Sequence, residues 1–273
     1  MVAYAKEKTV SMHPETPSDP QRKFIDYQGL PLAYTDEGDG PTTIVAVHGL
    51  PGSIRDFRWL APALDGAFRF IRVELPGFGQ SARKGYVRMT IGERAASVSE
   101  LLRQLEIHSA TLLGHSSGGT VVAHLAHHHP ELVRNCAFIA ANGPSPHYPV
   151  GVYNALTKLL AYRAGRAAMR PVLRRIYRVL GFPKHLTDAA LLFTTLDAAA
   201  TDFAQHRMNL LAVSQPCLVA WASDDALIDS KIFEQLEGVV PQGPRLRYTR
   251  GGHNLQKTKA TEIAKALCDM LRT

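Results

Sequence analysis

A serine between glycines marks the part of the chain best suited to covalent chemistry. Residues 112–119 read LLGHSSGG, which places Ser116 at the centre of the pattern G-x-S-x-G. A serine hydroxyl is a weak nucleophile and needs a nearby base to remove its proton. A sharp turn from a strand into a helix exposes the hydroxyl, and only small residues fit two positions away on either side. Gly114 and Gly118 meet this requirement, so we predict a nucleophilic Ser116; an ordinary Gly/Ser turn is the alternative.

Short apolar segments alternate with amphipathic ones, and these elements must position the serine. Such alternation is typical of strands joined by helices in a mostly parallel sheet. The predicted strands are Phe24–Tyr27, Leu32–Asp36, Thr43–Val47, Arg69–Glu74, Ala110–Leu113, Cys136–Ala140, Cys217–Trp221 and Arg245–Thr249. Helical periodicity is found in Ile91–Leu105, Thr120–His129 and Thr261–Leu271. Ser116 therefore lies between a predicted strand and a predicted helix.

Two regions depart from this alternation. Residues 1–23 have no apolar periodicity and contain three prolines, which predicts a flexible N-terminal arm. Residues 145–214 contain several helical patterns and no convincing strand, which predicts an inserted helical cap. The sequence thus predicts an α/β core formed by residues 24–144 and 215–273.

Composition narrows the class of protein. The 273 residues are 45% hydrophobic and 20% charged, which favours a globular protein over a disordered one. No apolar run approaches the length of a membrane span, and the first residues lack the apolar stretch of a secretory signal. The three cysteines Cys136, Cys217 and Cys268 are widely spaced and form no CxxC pair. They predict reduced thiols and a cytoplasmic location.

Taken together, these segments resemble the α/β-hydrolase superfamily from about Phe24 to Thr273. The sequence VHGLPG at 47–52 resembles the HG-containing oxyanion loop of that family, and ELPGFGQS at 74–81 resembles its D-x-x-G-x-G-x-S turn, with Glu74 in place of the usual Asp. The resemblance implies a mostly parallel eight-stranded sheet flanked by helices. It also implies that the backbone amides of Leu50 and Ser117 bind an oxyanion, whereas Pro51 has no N–H to donate. His48 is expected to be structural.

The same resemblance assigns the base and the acid. A histidine is expected in a loop after the last strand, and His253 in the sequence RGGHN lies there. The acid is expected after the seventh strand, where WASDD ends in Asp224 and Asp225. The family spacing G-x-x-D selects Asp225, and Asp224 remains the alternative. The implied triad is therefore Ser116, His253 and Asp225.

These residues predict a cofactor-free serine hydrolase. The function expected is a carboxylesterase acting on apolar or aromatic acyl esters, with a small acyl molecule as substrate. A serine at the elbow argues against the haloalkane dehalogenases and epoxide hydrolases of this fold, which use aspartate. The same triad is also compatible with C–C bond hydrolysis, lactone opening or perhydrolysis, and a ligand receptor without turnover is an alternative from another class.

No cofactor, metal or nucleic-acid site is indicated. The chain has no phosphate-binding glycine loop, and the pair His124 and His128 lacks a carboxylate ligand pattern beside it. Nucleic-acid binding has only the net charge of +7 in its favour. A monomer or a homodimer is expected.

The predicted cap carries a basic amphipathic helix. Its basic positions are Arg163, Arg166, Arg170, Arg174 and Arg178, and its apolar positions are Met169, Val172, Leu173, Ile176 and Leu180. A cap helix with a solvated face is the favoured interpretation, and weak contact with an anionic membrane surface is the alternative. An acyl pocket or simple core packing would explain the apolar cap residues Tyr148, Tyr153, Leu156, Leu160, Phe182, Leu192 and Phe193.

Overall fold

A single eight-stranded sheet forms the centre of the protein. The computed structural model describes residues 17–64, 66, 68–148, 150–179, 182 and 186–272. The strands are β1 (Lys23–Tyr27), β2 (Leu30–Glu37), β3 (Thr43–Val47), β4 (Arg69–Val73), β5 (Ala110–His115), β6 (Val133–Ile139), β7 (Cys217–Ala222) and β8 (Arg245–Tyr248). Each of the eight predicted strands is present, which confirms the predicted sheet.

The sheet is mostly parallel, with the strand order β1-β2-β4-β3-β5-β6-β7-β8. Only β2 runs antiparallel to its two neighbours, β1 and β4. All residues of β5 and β7 are buried. Helices cover both faces of such strands, which explains why the sequence of β7, CLVAWA, is continuously apolar instead of alternating. The carboxyl ends of β3, β5, β7 and β8 consequently meet at one edge of the sheet.

In the described part of the chain, ten α-helices surround or extend this sheet. They are α1 (Leu60–Ala63), α2 (Ile91–Gln104), α3 (Gly118–His128), α4 (Val150–Leu160), α5 (Arg163–Val179), α6 (Asp188–Ala199), α7 (Phe203–Ala212), α8 (Ser230–Val239), α9 (Leu255–Thr258) and α10 (Ala260–Arg272). The start of α2 is fixed by a capping box in which Thr90 and Glu93 bind each other's backbone amides. Within the described residues, no helix is long and apolar enough to cross a bilayer.

Helices α4 to α7 follow β6 and precede β7, so they form an insertion of residues 150–212 in the alternating pattern. The helix α7 packs against α3 of the core. A buried ion pair also joins the insertion to the core, since Arg83 donates to both carboxylate oxygens of Asp197 at 2.8 and 2.7 Å. Breaking such a pair leaves an uncompensated buried charge, so this contact fixes α6 on the core.

The N-terminal segment differs from the flexible arm predicted for residues 1–23. Residues 1–16 lie outside the described part of the chain. Beyond them, Arg22 binds the buried carboxylate of Glu74 at 3.1 Å, and Asp19 binds Arg55 at 3.0 Å. Lys23 already belongs to β1. Ion pairs with distant residues leave no periodic pattern in the sequence, and for this reason the prediction extended the arm too far.

The apolar positions predicted for one face of α5 are only partly buried. The helix runs without interruption through Pro171, and its buried residues are Gly165, Met169, Leu173 and Tyr177. Val172 and Ile176, which were predicted for the same face, are 44% and 41% exposed. Leu180 lies outside the described residues. Helical periodicity identifies the apolar positions, but packing against α6 decides which of them are covered.

Candidate active site

Ser116 occupies a strained turn between β5 and α3. Its φ is 52°, in the left-handed region that L-residues other than glycine rarely adopt. A Cβ on Gly114 would lie 2.6 Å from the Cα of Gly119, and one on Gly118 would collide with the carbonyl oxygen of Val47. Glycine is therefore required on both sides, and the backbone presents Ser116 at the carboxyl edge of the sheet.

His253 and Asp225 meet at this same edge. The Nδ1 atom of His253, in the loop after β8, lies 2.7 Å from Oδ2 of Asp225, in the loop after β7. The other carboxylate oxygen accepts the amides of Leu227 and Ile228 at 2.8 and 3.1 Å. Burial raises the pKa of Asp225, but the hydrogen bonds from His253 and the two amides outweigh it and hold that pKa below its usual range. An ionised Asp225 therefore orients the imidazole.

Asp224 makes a different set of contacts. Its Oδ1 accepts the backbone amides of Gly251 and Gly252 at 2.9 and 2.8 Å, directly before His253. The two neighbouring aspartates thus divide their contacts, since Asp225 binds the imidazole and Asp224 binds the loop that carries it.

The predicted oxyanion donors lie beside the serine. Leu50, Ser116 and Ser117 all line one cavity. Across the described residues, neither the amide of Leu50 nor that of Ser117 donates to another backbone group, whereas the amide of Ser116 binds the carbonyl of Ile139 at 3.1 Å. Two unused N–H groups next to a serine hydroxyl suit a carbonyl oxygen that gains negative charge.

His48 is buried below the oxyanion loop, and both of its ring nitrogens contact the backbone. Nδ1 lies 2.7 Å from the carbonyl oxygen of Gly49, so it donates, and Nε2 accepts the amide of Leu75 at 3.0 Å. Burial lowers the pKa of His48 to about 4. The ring is therefore neutral and joins the ends of β3 and β4.

A cavity of about 720 Å³ contains Ser116 and His253. Its wall includes five aromatic side chains: Trp59, Tyr148, Tyr153, Tyr177 and Phe182. Of the cap residues proposed for an acyl pocket, Leu160, Leu192 and Phe193 instead lie in the core. Leu156 is partly buried against that core. Tyr177 was missed because its position on α5 is indistinguishable from a packing position in the sequence.

Two further histidines approach the site and were not singled out in the sequence. His115 donates from Nε2 to the carbonyl of His253 at 3.0 Å, and burial lowers the pKa of His115 to about 3. His147 lines the cavity, and its buried Nδ1 has no hydrogen-bond partner within the described structure. Burial, followed by the charge of His253, lowers the pKa of His147 to about 4. No motif identifies either residue, since His115 fills a variable position of G-x-S-x-G.

Buried neutral histidines predict that acid weakens the fold near pH 6. His48, His115 and His206 have folded pKa values of about 4, 3 and 4, because burial disfavours the cation. Their unfolded value is 6.5, so between these values the unfolded state binds more protons and stability falls as the pH falls. From pH 7 to 5.5 the three contribute a loss of about 4 kcal/mol. Burial raises the pKa of Asp56 to about 7, so acidification protonates this carboxyl in the folded state and stabilises the fold. This gain offsets somewhat under half of the loss from the three histidines.

The expected net loss from these four groups is thus about 2 kcal/mol. Urea unfolding at about pH 7 and pH 5.5, with the midpoint and the m-value determined at each pH, measures it directly. An unfolding free energy that stays constant or increases on acidification would contradict the neutral state of these rings.

Comparisons with known proteins agree with this architecture. A family model described as the α/β hydrolase fold matches residues 42–169. The solved structure of an α/β hydrolase fold protein from Burkholderia ambifaria superposes with a TM-score of 0.75 at 20% identity, over 90% of this chain and 97% of that one. The chain therefore has the α/β-hydrolase fold, as the motifs predict.

Curated relatives extend over most of this chain at low identity. The dihydrolipoyllysine-residue acetyltransferase component of the acetoin cleaving system of Pseudomonas putida is 28% identical over 248 residues. That alignment covers 86% of this chain and 65% of the relative, so the chain spans slightly less than two thirds of that protein. The pimeloyl-[acyl-carrier protein] methyl ester esterase of Vibrio vulnificus is 24% identical, with 81% of this chain and 91% of the relative covered.

Proposed function

We propose that the protein is a serine carboxylesterase that acts on esters of apolar or aromatic acyl groups. The observation that carries the proposal is the 2.7 Å contact between His253 and Asp225 in a site that also presents Ser116 from a strained turn. A nucleophile, a base and a group that orients the base are the parts that acyl transfer requires. The esterase of Vibrio vulnificus among the relatives supports the same reaction class.

In the first half of the proposed reaction, Ser116 becomes acylated. Its Oγ attacks the carbonyl carbon of the ester while Nε2 of His253 takes the hydroxyl proton. The carbonyl oxygen becomes an oxyanion, which accepts hydrogen bonds from the amides of Leu50 and Ser117. Asp225 stabilises the imidazolium through Nδ1. When the tetrahedral intermediate collapses, the C–O bond of the ester breaks and His253 gives its proton to the departing alcohol.

Water completes the reaction in the second half. His253 takes a proton from a water molecule, whose oxygen attacks the acyl carbonyl and forms a second oxyanion in the same place. The bond from the acyl carbon to the Oγ of Ser116 then breaks, and His253 returns the proton to that oxygen. The products are one carboxylic acid and one alcohol, and the enzyme is unchanged.

The cavity supports the choice of acyl group. The aromatic residues Tyr148, Tyr153, Tyr177 and Phe182 offer apolar surface next to the nucleophile. Burial raises the pKa of Tyr148 to about 12 and that of Tyr177 further, so their hydroxyls remain neutral at ordinary pH. This neutral aromatic part of the wall favours an uncharged acyl chain or ring over an ionised one, while Arg55, Arg58 and Lys257 line the same cavity.

Hydrolysis of p-nitrophenyl esters from acetate to palmitate tests the proposal. We expect turnover with an optimum at one chain length, because a cavity of about 720 Å³ accommodates a limited acyl volume. A fluorophosphonate probe is expected to modify Ser116, as located by peptide mass spectrometry, and a substrate ester is expected to protect it.

Two outcomes would contradict the carboxylesterase. If Ser116 is labelled but no ester is hydrolysed, the triad serves another reaction, such as cleavage of a C–C bond. If Ser116 is not labelled and no ester is hydrolysed, the site lacks a competent nucleophile and ligand binding without turnover becomes the better description.

A further inference from the structure

The positive charge of the protein is concentrated in one part of the chain. Residues 150–212 contain nine Lys and Arg and three Asp and Glu, which gives a net charge of 9 − 3 = +6. The whole chain has +7, so all other residues together contribute only +1. This asymmetry points to an electrostatic role for the insertion itself, since a charge needed only for solubility could lie anywhere on the surface.

Helix α5 carries most of this charge. Between Arg163 and Val179 there are six arginines and no acidic residue. Two of them have partners. Arg166 donates to the carbonyls of Leu160 and Ala161, at the end of α4, both at 2.9 Å, and Arg174 binds Asp188 at 2.6 Å. The remaining four, Arg163, Arg170, Arg175 and Arg178, are exposed and form no ion pair with any other residue that the structure describes.

Apolar side chains lie exposed on the same helix. Val172 and Val179 are 44% and 81% exposed and lie about 100° and 120° around the helix axis from the buried Leu173. Arg175 and Arg178 lie further round, about 160° and 140° from Leu173. We call Val172, Arg175, Arg178 and Val179 the outer face of α5. Beside it, Tyr162 in the turn after α4 is 71% exposed.

We propose that the outer face of α5 binds the surface of an anionic lipid bilayer, with the helix lying parallel to the membrane plane. Apolar side chains that alternate with unpaired arginines match the boundary between acyl chains and negatively charged headgroups. Helix α5 has 17 residues and is about 25 Å long, and the outer face occupies its last eight residues, about 12 Å. A small anion would need a pocket, whereas this face is an outward-facing helix surface.

Other occupants fit this face less well. A second copy of the chain would place two insertions of charge +6 against each other, and like charges oppose such an interface. An acidic protein would satisfy the arginines, but it offers no general reason for Val172 and Val179 to be exposed between them. The binding proposed here does not depend on the proposed esterase reaction. Tyr177, on the buried side of the same helix, nevertheless lines the cavity that contains Ser116.

Sedimentation with lipid vesicles tests the electrostatic part of the proposal. The full chain is mixed with vesicles of phosphatidylcholine containing about 30 mol% phosphatidylglycerol, and separately with pure phosphatidylcholine. We expect a partition coefficient at least about tenfold higher on the anionic vesicles, and a similar decrease at about 1 M NaCl, where the Debye length is about 3 Å. The double variant Arg175→Gln, Arg178→Gln is expected to lose at least about tenfold.

A matched control variant distinguishes binding by the outer face from an effect of net charge alone. Exchanging Arg134 and Lys231 for glutamine removes the same number of charges, two, from exposed positions outside the insertion. We expect this control to bind anionic vesicles within about threefold of the wild type, because surface charges act mainly within a Debye length. Thermal melts of both variants verify that each is folded.

The apolar part is tested with Val172→Ser and Val179→Ser together. Loss of buried apolar surface is expected to lower the partition coefficient several-fold, whereas the exposed Val87 and Leu211, when exchanged in the same way, should have no effect. Equal binding to neutral and anionic vesicles would overturn the proposal. Equal loss in the two charge variants would do the same, and absence of binding to any vesicle would leave an acidic protein as the better partner.

Discussion

Replacing Ser116 by alanine is expected to lower kcat for ester hydrolysis by about 10⁴-fold or more. Alanine keeps the Cβ that the strained turn at φ 52° already accommodates, so the backbone of the turn and the amide of Ser117 remain in place. What disappears is the oxygen that would form the acyl-enzyme. The residual rate then comes only from binding and the oxyanion donors. The measurement is kcat and KM on the best p-nitrophenyl ester, with the melting temperature as a test of folding.

A second serine provides the comparison for this variant. Ser109 lies exposed in the turn before β5, away from the cavity, and Ser109→Ala is expected to retain wild-type kinetics. If Ser116→Ala retained more than about 1% of the activity, the covalent mechanism would be wrong, since water attack assisted by His253 would then account for the rate. Loss of activity together with a large decrease in melting temperature would point to a structural role for the turn.

The sequence determines the sheet and the position of the nucleophile because both depend on local rules. Strands such as β3 and β7 are short and almost entirely apolar. This pattern is typical of strands that are covered on both faces of a sheet. The turn at Ser116 needs glycine two positions away on each side, and that need is visible in the pattern. His253 and Asp225 come from separate loops, so their predicted assignment depended on resemblance and not on any local rule.

Contacts between distant residues explain what the sequence could not predict. Asp19 and Arg22 become ordered because they pair with Arg55 and Glu74, far away in the chain. The histidine at position 115 fills a place that the motif leaves open, yet in the fold it supports the backbone of His253. Likewise, three large apolar side chains of α5, Val172, Ile176 and Val179, remain exposed because the insertion packs against only one side of the helix.

Asp225→Asn is expected to lower kcat by about 10⁴-fold, whereas Asp224→Asn should lower it by no more than about tenfold. An asparagine at 225 can turn its NH₂ group toward Nδ1 of His253, which favours the tautomer with the proton on Nε2. That nitrogen then has no lone pair for the proton of Ser116, and the imidazolium also loses its counter-charge. At 224 the Oδ1 atom of asparagine can still accept the amides of Gly251 and Gly252.

The two substitutions are matched, since each exchanges one carboxylate oxygen for an NH₂ group in adjacent residues of one loop. Both retain an oxygen for the backbone amides, at Leu227 and Ile228 in one case and at the glycines in the other. Similar melting temperatures are therefore expected, and the difference should appear in kcat with little change in KM. If instead Asp224→Asn were the inactive variant, Asp224 would be the acid of the triad and the 2.7 Å contact of Asp225 would serve only to hold the loop.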